Sequence, residues 1–174
     1  MNAYELADWQ GYLSRSEVDF LKRLAAMLPK KPVIINIGAG AGTSTLCFLE
    51  ERKDCTVISI DILTTESPVT TNEYLRLEEI DPQDARRVIK VWGDSSRTGR
   101  VWPFGSVDMV FVDGDHRAAG IKADIDAWLK HVQGIIAFHD YTRKEWPDVK
   151  EVVDAAMQGY EAIDHIDTIK AFRA

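Results

Sequence analysis

The residues able to do chemistry in this chain of 174 residues gather at a few points. The first is Asn36-Ile37-Gly38-Ala39-Gly40-Ala41-Gly42-Thr43, where glycines at alternate positions let the backbone turn sharply and approach a ligand without Cβ clashes. A helix opening at Thr43 would turn its free N–H groups toward the same ligand. Asp61 follows 19 residues after Gly42, close to the ~20-residue spacing at which a nucleotide-binding βαβ unit carries the acid that meets the ribose hydroxyls. Farther on stand Asp94-Ser95, then Asp113-Gly114-Asp115-His116, then His139-Asp140. His116 has two readings. An imidazole titrates near neutral pH and can take a proton as a general base, and a histidine at a helix start can equally bond its own turn.

The elements that would position these residues are legible on either side of them. Val33-Ile34-Ile35-Asn36-Ile37 is a short β-branched run, the mark of a strand buried on both faces, and it leads straight into the glycine turn. A helix over 43–52 and a second strand over 56–60 follow, with Asp61 at its end. Strands over 88–92 and 107–112 end at Gly93-Asp94 and at Asp113, and one over 134–138 ends at His139. Helical stripes run through Ile121, Ile125, Trp128, Leu129 and Val132, and through Val149, Val152, Val153, Ala156 and Met157. Ser14-Arg15-Ser16-Glu17 reads as a capping box opening a helix that Pro29 stops, with Trp9, Tyr12 and Leu13 ahead of it. Asp81-Pro82 reads as a cap and first position of a short helix. The tail, 160–166 and 168–172, forms two strands around Asp167. Strands alternating with helices predict an α/β fold, doubly wound, with a mostly parallel sheet covered by helices on both faces. In such sheets ligands bind outside the C-terminal strand ends, where every residue singled out above is placed.

Composition narrows the function. A chain 45% apolar and 28% charged has the makeup of one globular domain, here 1–174, with 1–30 a helical segment packed on it. With a formal charge of −7, nothing suggests the basic stripe that holds nucleic acid. Two cysteines are too few for a disulfide framework. No run approaches the ~20 apolar residues of a membrane span, and the first ten residues lack the pattern of a signal peptide. These features point to a cytoplasmic protein with no nucleic acid or membrane as partner. Oligomeric state stays open, a homo-oligomer included.

A dinucleotide fingerprint of the form G-x-G-x-x-G would need glycine where Thr43 stands. The spacing G-x-G-x-G instead resembles motif I of the class I S-adenosylmethionine-dependent methyltransferases. With Asp113-Gly114-Asp115-His116, the following helix containing Asp124 and Trp128, and Phe138-His139-Asp140-Tyr141, the pattern is similar to methyltransferase family 24 and its macrolide-sugar and catechol-type O-methyltransferase relatives. The resemblance covers roughly 33–141. It implies a Rossmann-like sheet of seven strands with the last antiparallel. It implies S-adenosylmethionine as cofactor, on Asn36, Gly38, Ala39, Gly40, Gly42, Thr43, Asp61, Ile62, Asp94, Ser95 and Asp113. The glycine turn would contact the methionine moiety, Asp61 the ribose, and Asp94 with Ser95 the adenine. His116 and Asp113 would be catalytic.

Metal-dependent relatives imply a divalent ion, Mg²⁺ or Mn²⁺, on Asp113, Asp140 and His139. Here His139 stands where sugar-modifying relatives have an acid, and Tyr141 where catechol-type relatives have Asn; Asn36 replaces an acid ahead of the glycine turn. The function implied is O-methylation of a small hydroxylated acceptor, and the absence of an Asn-Pro-Pro-Tyr motif speaks against methylation of amino groups on bases or glutamine. The acceptor would meet loops at 64–72 and 97–105. A non-catalytic domain that binds the same cofactor is the alternative, and a nicotinamide-dependent oxidoreductase ranks behind both.

Overall fold

Two capping boxes start the chain. The computed structural model describes residues 2–62 and 82–174. In it the Asn2 side chain and Glu5 cap α1 (Ala3–Gln10), which Gly11 ends in the left-handed conformation. Ser14 and Glu17 cap α2 (Arg15–Ala26) in the same reciprocal way. Helix α1 falls within the helical segment expected over 1–30, but it places Trp9 inside a helix rather than ahead of the first one. Eight residues make a marginal helix in isolation. Burial of Ala3, Leu6 and Ala7 in the core shared with α2 and with α3 (Thr43–Glu51) supplies the rest.

Strands β1 (Val33–Ile37), β2 (Thr56–Asp61), β3 (Val88–Trp92), β4 (Val107–Val112) and β5 (Val132–Phe138) pair in parallel; β7 (Ile169–Arg173) runs antiparallel between β5 and β6 (Glu161–Ile166). The sheet order is β3-β2-β1-β4-β5-β7-β6, the seven-stranded arrangement expected. Connections are α4 (Pro82–Ala85), α5 (Ser95–Arg100), α6 (Ala118–Trp128) and α7 (Pro147–Ala156). Asp81, the expected cap of α4, lies outside the described residues.

Alternation along the strands sorts the core into two layers. Ile34, Val57, Met109, Phe111, Ile135 and Ala137 pack under α1, α2 and α3. Their neighbours Ile35, Ile58, Val110, Ile136 and Phe138 pack with Ile121, Ile125 and Trp128 of α6 and Val149 and Val153 of α7. Because β1 has β2 on one side and β4 on the other, successive connections leave on opposite faces there and open a crevice at the C-terminal strand ends. Among the described residues no helix is long and apolar enough to cross a membrane.

Glu17 ties α2 to the far end of the sheet. One carboxylate oxygen accepts the Ser14 N–H at 2.8 Å; the other accepts the N–H of Thr168 at 2.9 Å and its hydroxyl at 2.6 Å. Burial alone would raise this carboxyl, but the nearby His139 imidazole and the bonds from Thr168 and Ser14 outweigh it and hold the group at about 2, against 4.5 unperturbed. A depressed folded-state pKa contributes stability that is present above the unfolded value and is lost as pH falls through the folded one. Between pH 4.5 and 2, urea melts should therefore show a loss of about 3 kcal/mol from Glu17. Glu17→Gln should flatten that segment of the profile; an unchanged slope would discard the assignment.

Candidate active site

A cavity of about 530 Å³ opens at the crevice. Its wall is built from successive strand ends: Gly38, Ala39, Gly40 and Thr43 after β1, Asp61 and Ile62 at β2, Gly93 to Ser96 after β3, and Asp113 to Asp115 after β4. Tyr12 and Leu13, in the link between α1 and α2, close one side. Gly38, Ala39, Gly40, Thr43, Asp61, Ile62, Asp94, Ser95 and Asp113, all singled out in the sequence, share this wall.

Two expected residues stand behind it. Gly42 is the left-handed N-cap of α3. Asn36 is fully buried, its amide donating to Thr45 Oγ1 at 2.9 Å and its carbonyl accepting from Ser44 Oγ at 3.2 Å. The strand pleat turns Asn36 toward α3, so it anchors the start of that helix instead of facing the cavity, a correction to its expected role as a cofactor contact.

The glycines differ in what they permit. Gly38 has φ +76°, and a Cβ there would fall 1.8 Å from the Asp113 carbonyl oxygen. Gly40, at φ +47°, faces open space, and its N–H donates to Asp61 Oδ2 at 2.9 Å. Asp61 Oδ1 accepts the Ile62 N–H at 2.6 Å. Burial raises the Asp61 carboxyl above its usual range and the Asp113 charge adds to this, against the pull of the Gly40 and Ile62 N–H bonds. The side chain is thus held to the turn and aimed along the wall.

Asp113 belongs to the cavity and to a second cluster behind it. Its Oδ1 lies 2.9 Å from His139 Nδ1 and 3.7 Å from His116 Nε2. Asp140 Oδ2 lies 2.8 Å from His116 Nε2 and 3.4 Å from His139 Nδ1, while Arg143 Nε is 2.8 Å from Asp140 Oδ1. Asp140 has φ +55°, unusual for a residue with a side chain. The His116 ring stacks on Trp146 with centroids 4.9 Å apart.

The Asp113 and Asp140 carboxylates at ion-pair distance push His116 up to about 9. Burial would lower His139, but the carboxylates of Asp113, Asp140 and Glu17 drive it up to about 12, and burial's opposite pull on Asp140 is overcome by the two imidazoles, which hold it low. The carboxylates thus hold both rings toward the protonated form. The expectation that His116 titrates near neutrality is corrected by its two carboxylate neighbours, and the ring lines only a small space behind Asp113.

Donor atoms of Asp113, His139 and Asp140 lie within 4.8 Å of one another. Among the described residues, four buried side-chain polar atoms lack a hydrogen bond, and three are here: His116 Nε2, His139 Nε2 and Asp140 Oδ1. Their ion pairs reach contact distance without hydrogen-bond alignment. Two carboxylates and one imidazole with unsatisfied atoms nearby fit a divalent ion such as Mn²⁺ or Zn²⁺ better than Mg²⁺, which prefers oxygen alone.

Asp94 lines the cavity but caps α5, accepting from Arg97 N–H at 3.1 Å and Ser96 Oγ at 2.7 Å. An acid not assigned a role in the sequence, Asp124 of α6, also lines it, and accepts the Ser95 hydroxyl hydrogen. Its signal was an acid inside an apolar stripe, since 124 shares a helical face with Ile121, Ile125 and Trp128. The loop at 64–72 lies outside the described residues.

Comparison with known proteins follows the same outline. A family model described as a methyltransferase domain, family 24, matches residues 35–141, more than half of the chain. No curated protein matches the sequence. Among solved structures, a candidate O-methyltransferase from Klebsiella pneumoniae superposes with a TM-score of 0.73 at 16% identity, covering 99% of this chain and 87% of that one. A candidate caffeoyl-CoA O-methyltransferase from Staphylococcus aureus gives 0.70 at 19% identity, covering 98% and 90%. The Podospora anserina methyltransferase PaMTH1, with S-adenosylhomocysteine bound, gives 0.66 at 17%, covering 98% and 85%. At these identities the likeness is one of fold.

Proposed function

The chain belongs to this methyltransferase family, and on that premise we propose that it carries the methyl group of S-adenosylmethionine to an oxygen of a small hydroxylated molecule. The observation that carries the reading is the convergence of the glycine turn, Asp61 and Asp113 on one cavity at the switch point of the sheet. Asp61, held by the Gly40 and Ile62 N–H groups, offers its carboxylate to the ribose hydroxyls. Gly38 and Ala39 approach the amino-acid portion, and Tyr12 with Leu13 shields the transferring group from water.

The acceptor oxygen attacks the methyl carbon opposite sulfur, the C–S electron pair returns to sulfur, and S-adenosylhomocysteine leaves. Holding both partners in line can supply about 7 to 11 kcal/mol of the barrier reduction. The acceptor's proton passes to Asp113, which alone among the acids of the rear cluster also faces the cavity. His116 is a positioning residue that holds the Asp113 and Asp140 carboxylates by charge. Asp113, His139 and Asp140 would hold a divalent ion, which when bound lowers the pKa of an acceptor hydroxyl.

Calorimetry tests the cofactor reading directly. S-adenosylhomocysteine should bind and NAD should not; the reverse would favour the oxidoreductase, and binding of neither would withdraw the reading. For the metal, Mn²⁺ binding followed by paramagnetic resonance should weaken more than about 10-fold in Asp140→Asn, since even loss of an outer partner costs that much. Retained Mn²⁺ affinity in that variant would remove Asp140 as a ligand. The buried, unpaired thiols of Cys47 and Cys55 support a reducing, cytoplasmic setting. The net charge supports a small-molecule partner over nucleic acid.

A further inference from the structure

Among the described residues two acids of the cavity face no cationic side chain: Asp61, which is held by two backbone N–H groups, and Asp124. Asp124 is 4% exposed, lines the cavity, and accepts one hydrogen, from Ser95 Oγ. Among the described residues no Lys, Arg or His stands at ion-pair distance from it. Its acidic neighbours differ: Asp94 faces Arg97 at 3.5 Å and caps α5, and Asp115 pairs with Arg117 at 2.6 Å. A buried carboxylate without a cation is costly, and a ligand that brings the missing donor relieves that cost.

The unit around Asp124 is rigid. Trp128, one turn along α6, donates Nε1–H to the Ser95 carbonyl at 3.0 Å, so both ends of Ser95 are fixed to the same helix. Asp124 Oδ2 lies beside Gly114, 3.5 Å from where a Cβ on that glycine would stand. In the order β1-β2-β3 the sugar acid Asp61 ends β2, and the next strand end outward carries Gly93 to Ser96. A base extending from that sugar therefore reaches the Ser95–Asp124 unit, with the exposed side chain of Ile62 along the same wall.

We propose that Asp124, not Asp94, is the specificity-determining acid for the cofactor's purine, its Oδ2 accepting an N–H of the adenine exocyclic amine. The inference rests on the cofactor reading above. A ligand with a carbonyl oxygen in place of that amine would set acceptor against acceptor, and sites built around one buried polar contact reject such analogues strongly.

The test measures the ratio of affinities for S-adenosylhomocysteine and S-inosylhomocysteine by calorimetry at pH 8 and pH 5. At pH 8 the wild-type chain should favour the adenosyl ligand roughly 100-fold. Burial pushes Asp124 up to about 6, helped by the charges of Asp94 and Asp115, so at pH 5 the acid is protonated and the ratio should shrink. Asp61 also titrates upward but meets the same ribose in both ligands and cancels in the ratio. Asp124→Asn should show a small ratio, equal at the two pH values. A wild-type ratio retained in Asp124→Asn overturns the proposal, as does a ratio that collapses in Asp94→Asn alone. Binding of neither ligand to the wild-type chain would instead overturn the cofactor reading, and this inference with it.

Discussion

Replacing Gly38 by alanine is expected to leave a chain that does not hold its fold. The added Cβ would lie 1.8 Å from the Asp113 carbonyl oxygen, 2.5 Å from its carbon and 3.0 Å from the Gly114 nitrogen, all backbone atoms with no side-chain freedom to yield. Those atoms cannot drift, because β1 and β4 are paired up to Ile37 and Val112, and the Asp113 N–H donates to the Ile37 carbonyl at 3.0 Å. Relief requires opening the two central strands at their C-terminal ends. A left-handed residue other than glycine costs roughly 1 to 2 kcal/mol, overpacking typically another 1 to 3, and a buried backbone group left unbonded about 1 to 3.

Against a typical domain stability of roughly 5 to 15 kcal/mol, that loss is most of what holds the molecule together. Gly40→Ala is the comparison, since its φ is also positive but nothing lies within 4 Å of its Cβ position. Urea denaturation should show a small loss at position 40 and a large one at 38. Equal losses at the two positions would mean that conformation, not collision, selects the first glycine.

Asp61→Ala is expected to have the opposite profile, a stable protein that has lost its ligand. The carboxylate makes two bonds to backbone N–H groups, those of half-buried Gly40 and exposed Ile62, and is raised by burial, so its removal sheds a partly unfavourable charge along with those bonds. For the cofactor the loss is larger. Two hydrogen bonds from ribose hydroxyls to a charged acceptor are worth at least about 1.5 kcal/mol each, so affinity for S-adenosylhomocysteine should fall roughly 100-fold or more. The freed Gly40 N–H also lets the glycine turn relax, which adds to the deficit through lost preorganisation. Asp61→Asn, keeping one acceptor, should fall between. Calorimetry beside a thermal melt reads both quantities, and near wild-type affinity in the alanine variant would remove Asp61 from the site.

The two variants separate what the glycine turn does for the fold from what it does for the ligand. In the sequence these roles are superimposed, because a glycine that avoids a neighbouring strand and one that admits a ligand look identical until the neighbour is placed. The same holds for Asn2-Ala3-Tyr4-Glu5 and Ser14-Arg15-Ser16-Glu17, which satisfy the same capping geometry. Only the second introduces a helix with a long apolar stripe, so only the second stood out. The short first helix depends on α3 for its stability, a contact beyond the reach of local periodicity.

What the sequence by itself determined is the succession of elements and the chemistry at their ends. β-branched runs, helical stripes and turn glycines are local signals, and once they alternate, the handedness of parallel crossovers brings Gly38, Asp61, Asp94 and Asp113 to one edge of the sheet. Tertiary structure alone decided which of those groups is free to act. Asp94 is bound to its own helix, Asn36 is turned into the layer beneath α3, and Asp124, within an apolar stripe, faces the cavity with no cation beside it among the described residues. His116 and His139 are pulled toward protonation because carboxylates from separate strand ends meet them at ion-pair distance. Charge state and availability follow from burial and from distances of a few ångströms across the fold, which residue type and spacing along the chain do not encode.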